Sequence, residues 1–248
     1  MIKISIIVPT LNSSLTIHKT IQSVLQQTFK KFEIIILDSF SKDDTLKKIK
    51  SFKSKKIKIY SISSKNKLSH IRYLGILKSK GVFICFLDFD DFWHKEKLMK
   101  QYNFMIKKKL LVSSTNFSFI KNNITKPFSY KKEIKFNDLI YKRPIANSSV
   151  MIEKKLIKKI SKKYRSISYA EDYLWWLKVA EKNTIYNIQK NLTFLNISSN
   201  NRTAKGFLKN FGSLIYIYYN IYKFNFFKIL KIFLFLFINN FKKKFFLF

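Results

Sequence analysis

Residues 83–93 read Phe-Ile-Cys-Phe-Leu-Asp-Phe-Asp-Asp-Phe-Trp, an apolar run that ends in the carboxylates Asp88, Asp90 and Asp91. The run is short, follows Gly81 and is rich in aromatic and β-branched residues, a composition that favours a buried strand over a helix. Carboxylates directly after a parallel strand lie where open α/β sheets bind ligands. Their oxygens suit a hard divalent cation, Mg²⁺ or Mn²⁺, which commonly bridges to phosphate. The alternative is a helix N-cap with acidic residues in the first turn.

The composition indicates one domain with an appendage, and an anionic partner. The 248 residues carry 49 Lys and Arg against 14 Asp and Glu, a formal net charge of +35. This charge favours nucleic acid, a phosphorylated substrate or an acidic membrane surface as the partner. A single cysteine, Cys85, excludes a disulfide framework and indicates a reducing compartment. The first apolar run, residues 4–8, is too short for a signal peptide and is broken by Pro9, so we expect a cytoplasmic protein.

Strand-like and helix-like segments alternate through the first half of the chain. The predicted strands are residues 4–8, 32–37, 57–62 and 82–87, and the predicted helices are residues 16–27, 45–52 and 68–78. A further helix is expected over residues 94–107 and a strand over residues 111–120. Short connections predict βαβ units in an α/β, Rossmann-like fold with a mostly parallel sheet flanked by helices. The chain has no Gly-x-Gly-x-x-Gly after the first strand and no Walker P-loop, so dinucleotide binding and P-loop NTPase activity are disfavoured.

Four segments resemble the family 2 glycosyltransferases of the GT-A fold. The resembling segments, with the family patterns, are residues 7–12 and 23–29 (VPTYN…SVLxQT), residues 32–45 (EIIVVDxxSxDxT), residues 72–75 and 86–91 (ARNxG…FLDxDD), and residues 148–152 and 171–177 (SSxMI…EDYDLWLR). They follow the family's order over residues 1–200. Leu11, Phe40 and Tyr73 stand where the family commonly has Tyr, Gly and Asn. None of these departures removes a carboxylate, so we expect an active enzyme.

The resemblance implies an inverting, metal-dependent transfer of sugar from a nucleotide-diphosphate sugar. The acceptor would be a hydroxyl of a glycan, favoured as lipid-linked, in bacterial surface-polysaccharide or lipooligosaccharide synthesis. Inversion requires one carboxylate that takes the acceptor's proton, and no nucleophilic residue. That base would be Asp172, although Glu171 and Asp172 also fit a plain acidic pair at a helix N-terminus.

The resemblance also assigns the donor site. Pro9, Thr10 and Asn12 would line the nucleotide pocket, and Asp38 would accept a hydrogen bond from the base. Arg72 would lie near the diphosphate, and Arg202 would belong to a basic loop that closes over it. Asp88 and Asp90 would form the Asp-x-Asp motif that holds Mn²⁺ or Mg²⁺, with Asp90 favoured as the direct ligand.

The last part of the chain differs in composition from the rest. We predict a catalytic domain over residues 1–205 and a hydrophobic, basic helical tail over residues 206–248. The longest uncharged apolar run in the tail, residues 232–238, is too short to span a bilayer. Helices rich in aromatic residues and lysine suit an anionic membrane interface, which predicts peripheral attachment to the inner face of the cell membrane. The alternative is a helix hairpin packed on the catalytic domain, or a dimer contact.

Two other functions stay open from the sequence. The charge and the interleaved aromatic residues also fit a nucleic-acid-binding protein or a nucleotidyltransferase. Lysine is spread along the whole chain and no recognition motif occurs, so nucleic acid is the less favoured partner. A catalytically silent scaffold of a glycan-assembly complex is the other candidate. The sequence leaves a homo-oligomer open, and the fold does not fix the donor, the acceptor or the linkage.

Overall fold

The computed structural model describes residues 1–63, 65–122, 124–197 and 207–247, with side chains for all of these except 207–210 and 237–247. The strands are β1 Ile4–Thr10, β2 Phe32–Asp38, β3 Ile57–Ser61, β4 Phe83–Phe86, β5 Phe92–Trp93, β6 Val112–Lys121, β7 Ile124–Phe128, β8 Glu133–Ile134, β9 Met151–Glu153 and β10 Ile185–Asn196. The α-helices are α1 Ile17–Leu25, α2 Thr45–Lys50, α3 Leu68–Lys78, α4 Lys97–Lys107, α5 Phe136–Lys142, α6 Lys154–Lys163, α7 Glu171–Ala180, α8 Phe207–Tyr216 and α9 Phe226–Leu247. A 3₁₀ turn covers Asn147–Ser149 and a π-helical turn covers Ile217–Ile221.

The described strands form one mixed sheet in the order β3-β2-β1-β4-β9-β6-β10-β5, with β7 paired to β6 and β8 to β10. The strands of the first half, β1 to β4, pair in parallel. Thr10 lies opposite Asp38 in the register of β1 and β2, so the polar ends of these strands are adjacent. The predicted α/β fold with a mostly parallel sheet flanked by helices is confirmed.

Both faces of the sheet are covered by apolar side chains, because successive residues of a strand point to opposite faces. In β1, Ile7 belongs to one buried cluster, whereas Ile6 and Val8 belong to the other. Helices α3, α5, α6 and α7 contribute to the first cluster, and α1, α2 and α4 contribute to the second. This double burial explains why β1, β2 and β4 are mostly apolar rather than alternating.

Several predicted boundaries differ from the observed ones by a few residues. Helix α1 ends at Leu25 rather than at residue 27. Helix α4 begins at Lys97 rather than at residue 94, because residues 92–93 form β5, which pairs antiparallel with β10. The insertion of β9 between β4 and β6 was not predicted, because it depends on antiparallel pairing with distant segments.

Helix α3 approaches the sheet closely at Gly75. A Cβ atom added there would lie 2.7 Å from Ile7 Cγ2 and 2.8 Å from Leu37 Cδ1. Any larger residue would push the helix away from β1 and β2. The small residue therefore fixes the distance between the sheet and the helix that carries Arg72.

The C-terminal helices pack against α7 and the rest of the α/β domain. Leu214, Ile217, Tyr218 and Ile232 lie in the same buried cluster as the apolar residues of α7. The hydroxyl oxygens of Tyr218 and Tyr173 are 2.6 Å apart. Within the described ranges, no helix combines the length and the apolar character needed to cross a membrane. The predicted boundary between a catalytic domain and a tail, at residues 205 and 206, stays a prediction.

Candidate active site

A hydrogen-bond network joins the loops that follow β1 and β2. Asp38 Oδ1 accepts hydrogen bonds from Thr10 Oγ1 at 3.1 Å and Ser41 Oγ at 2.6 Å, and Asp38 Oδ2 accepts one from the Ser41 amide at 2.9 Å. Asn12, with a positive φ of 46°, accepts a hydrogen bond from the Lys42 amide at 2.8 Å. The predicted nucleotide-pocket residues therefore lie together at the carboxyl ends of these strands: Pro9, Thr10, Asn12 and Asp38. Asp38 Oδ2 keeps one lone pair for a further donor.

The three carboxylates after β4 have different surroundings. Asp88 and Asp90 are half-buried, whereas Asp91 is buried. Asp91 Oδ2 accepts a hydrogen bond from Ser148 Oγ at 2.6 Å, and its Oδ1 accepts one from the Asn196 amide at 3.2 Å. Burial and the negative charges of Asp88 and Asp90 raise the pKa of Asp91 well above its ordinary value. Asp91 therefore holds the loop in place rather than facing a ligand.

Asp90 is the free carboxylate of this group. No hydrogen bond or ion pair joins its side chain to another residue of the described chain. Burial and the charge of Asp88 raise the pKa of Asp90 to about 6. A cation beside Asp90 would offset both the burial and the repulsion from Asp88, and so would stabilise the charged form of Asp90.

The carboxylates fit a divalent cation that also binds a phosphate. Among the described residues, no group of three His, Cys, Asp or Glu side chains is arranged to hold a metal ion alone. Mg²⁺ typically takes one or two carboxylates and completes its coordination with substrate phosphates and water. Asp90 together with Asp88 meets that requirement.

Arg72 joins the Asp-x-Asp segment to the start of α7. Its side chain is 4% exposed, and its Nη2 donates to Asp88 Oδ1 at 2.6 Å while its Nη1 donates to Glu171 Oε1 at 2.5 Å. Burial alone would lower the pKa of Arg72, but the charges of Asp88, Glu171 and Asp172 raise it above its ordinary value. One guanidinium therefore lies between carboxylates from the segment after β4 and from α7. Its predicted place beside the diphosphate stays a prediction.

Asp172 is half-buried in the first turn of α7. Its Oδ1 accepts a hydrogen bond from the Tyr173 amide at 2.8 Å. In the part of the chain that the structure describes, its Oδ2 accepts no hydrogen bond from another residue. Asp172 directly follows Glu171, whose carboxylate pairs with Arg72, and the negative charge of Asp172 contributes to raising the pKa of that guanidinium. The predicted base therefore lies near the guanidinium that also binds Asp88, one of the two predicted metal ligands.

The sequence did not reveal the roles of two supporting residues, Glu171 and Ser148. Glu171 is the buried partner of Arg72 rather than only a helix-terminal acid. Ser148 Oγ accepts a hydrogen bond from the Asp88 amide at 3.2 Å and donates one to Asp91, so it fixes the loop that carries the predicted metal ligands. The resemblance of residues 148–152 to a family segment was the signal available for Ser148. Arg202 lies outside the described residues.

Residues 5–161 match the family described as glycosyl transferase family 2. The chain belongs to this family. Among relatives, this glycosyltransferase is 31% identical over 183 residues to the UDP-Glc:alpha-D-GlcNAc-diphosphoundecaprenol beta-1,3-glucosyltransferase WfgD of Escherichia coli, a match that covers 73% of this chain and 71% of the relative. It is 34% identical over 180 residues to WfaP of the same organism, which carries the same activity name, with coverage of 72% and 70%. The predicted family and enzyme class are confirmed.

Solved structures show the same fold. The glycosyltransferase matches the crystal structure of S. aureus TarS 1-349 in complex with UDP-GlcNAc with a TM-score of 0.69 and 21% identity. It matches the complex of the same protein with UDP with a TM-score of 0.67 and 24% identity. The UDP-GlcNAc match covers 81% of this chain and 60% of the TarS chain, so the glycosyltransferase spans about three fifths of that structure. The predicted GT-A-like fold is confirmed.

Proposed function

We propose that this glycosyltransferase moves a sugar from a UDP-sugar to a hydroxyl of a glycan carried on a lipid diphosphate, in the synthesis of a bacterial surface polysaccharide. The observation that carries the proposal is the pair of ion pairs that the buried Arg72 guanidinium makes with Asp88 and with Glu171, the residue before Asp172. The substrates are supported by the names of WfgD and WfaP, which specify a UDP-glucose donor and a diphosphoundecaprenol-linked acceptor. The TarS complexes with UDP and UDP-GlcNAc support the same donor class.

The transfer would be a single displacement with inversion at the anomeric carbon. Asp172 takes the proton of the acceptor hydroxyl as that oxygen bonds to the anomeric carbon, and the bond from that carbon to the β-phosphate oxygen breaks. The free Oδ2 of Asp172 supports this role, because the base needs an oxygen within hydrogen-bond reach of the acceptor. The products are the glycosylated acceptor and UDP.

The remaining residues would hold the donor. Pro9, Thr10, Asn12 and Asp38 would bind the nucleotide, and Arg202 would contact the diphosphate. Asp90 and Asp88 would hold Mg²⁺ or Mn²⁺ against the two phosphates, with Asp90 as the direct ligand. A divalent cation there supplies Lewis-acid stabilisation of the charge on the leaving diphosphate. Arg72 keeps Asp88 in a fixed orientation for this task.

The test is release of nucleotide from a panel of UDP-, GDP- and dTDP-sugars with Mn²⁺ or Mg²⁺. We expect turnover of a UDP-sugar that falls at least about 10²-fold in Asp90→Asn, since charge stabilisation in the transition state contributes that much or more. The matched control is Asp44→Asn, which neutralises an exposed acid at the start of α2 and should leave turnover unchanged. Salt-dependent binding to DNA or RNA without turnover of any sugar nucleotide would contradict the proposal and favour a nucleic-acid-binding function.

We also propose that the enzyme is cytoplasmic and attaches to the inner face of the cell membrane through α8 and α9. Apolar and aromatic side chains on these helices and the turn between them remain exposed, namely Tyr216, Tyr219, Phe226, Phe227, Leu230 and Leu234. Exposed lysines lie among them: Lys223, Lys228 and Lys231. Aromatic rings in the headgroup layer and lysines on anionic lipid would bind such a surface.

Vesicle sedimentation measures this attachment. The double variant Phe226→Ser and Phe227→Ser removes rings that are 71% and 78% exposed and should weaken binding to phosphatidylglycerol vesicles about tenfold or more. The control Leu15→Ser and Ile106→Ser removes two exposed apolar side chains, 95% and 53% exposed, from outside the C-terminal helices. Equal vesicle binding by both double variants would contradict attachment through the C-terminal helices.

A further inference from the structure

A basic cleft lies between the start of α3 and the end of α6. It consists of two adjoining cavities, about 600 Å³ and 230 Å³ in volume, which share Arg165 and Ser166. Its charged lining is formed by Lys65, Lys67, Lys159, Lys162, Lys163 and Arg165. None of the described residues that line the cleft is acidic. A concave surface with charge of a single sign concentrates ligands of the opposite charge.

The cleft is held in shape by hydrogen bonds between its two walls. Lys67 Nζ donates to the Ser166 carbonyl oxygen at 2.6 Å. The buried hydroxyl of Ser69 lies 2.6 Å from the carbonyl oxygens of both Arg165 and Ile167. The segment that carries Arg165 is therefore fixed to the first turn of α3. The backbone segments that carry charges on the two walls therefore keep a defined spacing, which favours binding of a compact anion.

Both walls of the cleft lie close in sequence to the proposed active-site residues. Lys67 precedes Arg72 by five positions, which corresponds to about 7.5 Å along a helix axis. On the other wall, Arg165 and Ser166 are separated by residues 167–170 from α7, whose first turn carries Asp172. Both walls thus continue into the elements that surround the Arg72 guanidinium. The nucleotide pocket, in contrast, is built from the ends of β1 and β2.

We propose that the basic cleft binds the diphosphate of the lipid-linked acceptor, an inference that rests on the proposed function for the nature of that acceptor. In the acceptor that the name of WfgD specifies, GlcNAc-diphosphoundecaprenol, the diphosphate is attached to the sugar that receives the new bond. With an acceptor of this kind, a single sugar ring separates the diphosphate from the hydroxyl that faces Asp172, so we expect the diphosphate to bind close to α7. Lysine and arginine form strong charge-assisted hydrogen bonds to phosphate oxygens.

The experiment measures binding of farnesyl diphosphate, a sugar-free lipid diphosphate, by calorimetry in the presence of saturating UDP. The test variant carries Lys159→Gln, Lys162→Gln and Arg165→Gln, all at exposed positions. The matched control carries Lys50→Gln, Lys107→Gln and Lys108→Gln, which remove three exposed charges elsewhere. We expect binding by the test variant to be about 10- to 100-fold weaker and binding by the control to be unchanged. Farnesol, which lacks the diphosphate, should bind all three proteins equally.

Other outcomes separate the alternatives. Equal affinities of the two triple variants for farnesyl diphosphate would overturn the proposal. Weaker binding of the test variant to phosphatidylglycerol vesicles, with farnesyl diphosphate binding unchanged, would assign the cleft to lipid headgroups and also overturn it. If the triple variant does not fold, the single variants Lys159→Gln and Arg165→Gln replace it and should each lose several-fold in affinity.

The same proteins are assayed for hydrolysis of the UDP-sugar in the absence of acceptor. Normal hydrolysis together with weak farnesyl diphosphate binding by the test variant would support the proposal. If the wild-type protein hydrolyses no sugar nucleotide, the proposed function fails, whereas the comparison of farnesyl diphosphate affinities still tests the cleft.

Discussion

Replacing Asp172 by Asn should lower the rate of sugar transfer by about 10²- to 10⁴-fold, the contribution usual for a positioned general base. The amide keeps the size of the side chain but cannot accept the proton of the acceptor hydroxyl. The loss should appear in kcat for transfer, measured with the UDP-sugar that the wild-type protein turns over. The dissociation constant for UDP should stay unchanged, because the proposed nucleotide-binding residues lie at the ends of β1 and β2.

The control for this variant is Glu181→Gln, which neutralises the acid at the other end of α7. Glu181 pairs with Lys178 at 2.5 Å, and its side chain is 34% exposed. The Glu181→Gln variant should transfer sugar at the wild-type rate. Asp172 is not the base if Asp172→Asn keeps transfer within about threefold of the wild-type rate, well below the contribution expected of a general base.

Replacing Arg72 by Met should lower the free energy of unfolding by about 3–5 kcal/mol, the usual effect of removing one partner from a buried ion pair. Two carboxylates, those of Asp88 and Glu171, would lose their counter-charge, and Glu171 is 4% exposed. Equilibrium unfolding in urea measures the change. Arg72→Lys should lose part of this free energy, because an ammonium cannot reach two carboxylates as the planar guanidinium does.

A second substitution tests whether the loss comes from the uncompensated charge. Adding Glu171→Gln to Arg72→Met should recover part of the lost free energy, because the buried carboxylate is then neutral. If Glu171→Gln lowers the free energy of unfolding by the same amount in the Arg72→Met variant as in the wild-type protein, the two residues are not coupled. A single variant Arg72→Met as stable as the wild-type protein would likewise contradict the structural role.

The parallel half of the fold was predictable because its signals are local. Residues 4–8 and 82–87 are apolar on both faces, and polar residues follow them directly. The positions of β9 and β10 were not predictable in the same way, since their pairing depends on contacts with strands far away in the chain.

The candidate site was predictable as a set of residues but not as an arrangement. The sequence identified Asp88, Asp90 and Asp172 as site residues, and their roles stay predictions. In the structure, the Arg72 guanidinium pairs with Asp88 and with Glu171, the neighbour of Asp172. The sequence alone could not identify Glu171 as a partner of Arg72, because the two residues are 99 positions apart. The sequence also could not show that Asp91 is a structural residue and Asp90 is not, because this depends on the hydrogen bonds that Asp91 accepts from Ser148 and the Asn196 amide.

The packing of the C-terminal helices on α7 has a practical consequence for protein production. Shortening the chain after residue 206, a common way to improve solubility, would expose the apolar surface that Leu214, Ile217 and Ile232 now cover. It would also remove the phenol that contacts Tyr173, the residue next to the proposed base. A crystallisation fragment should therefore extend at least through Ile232.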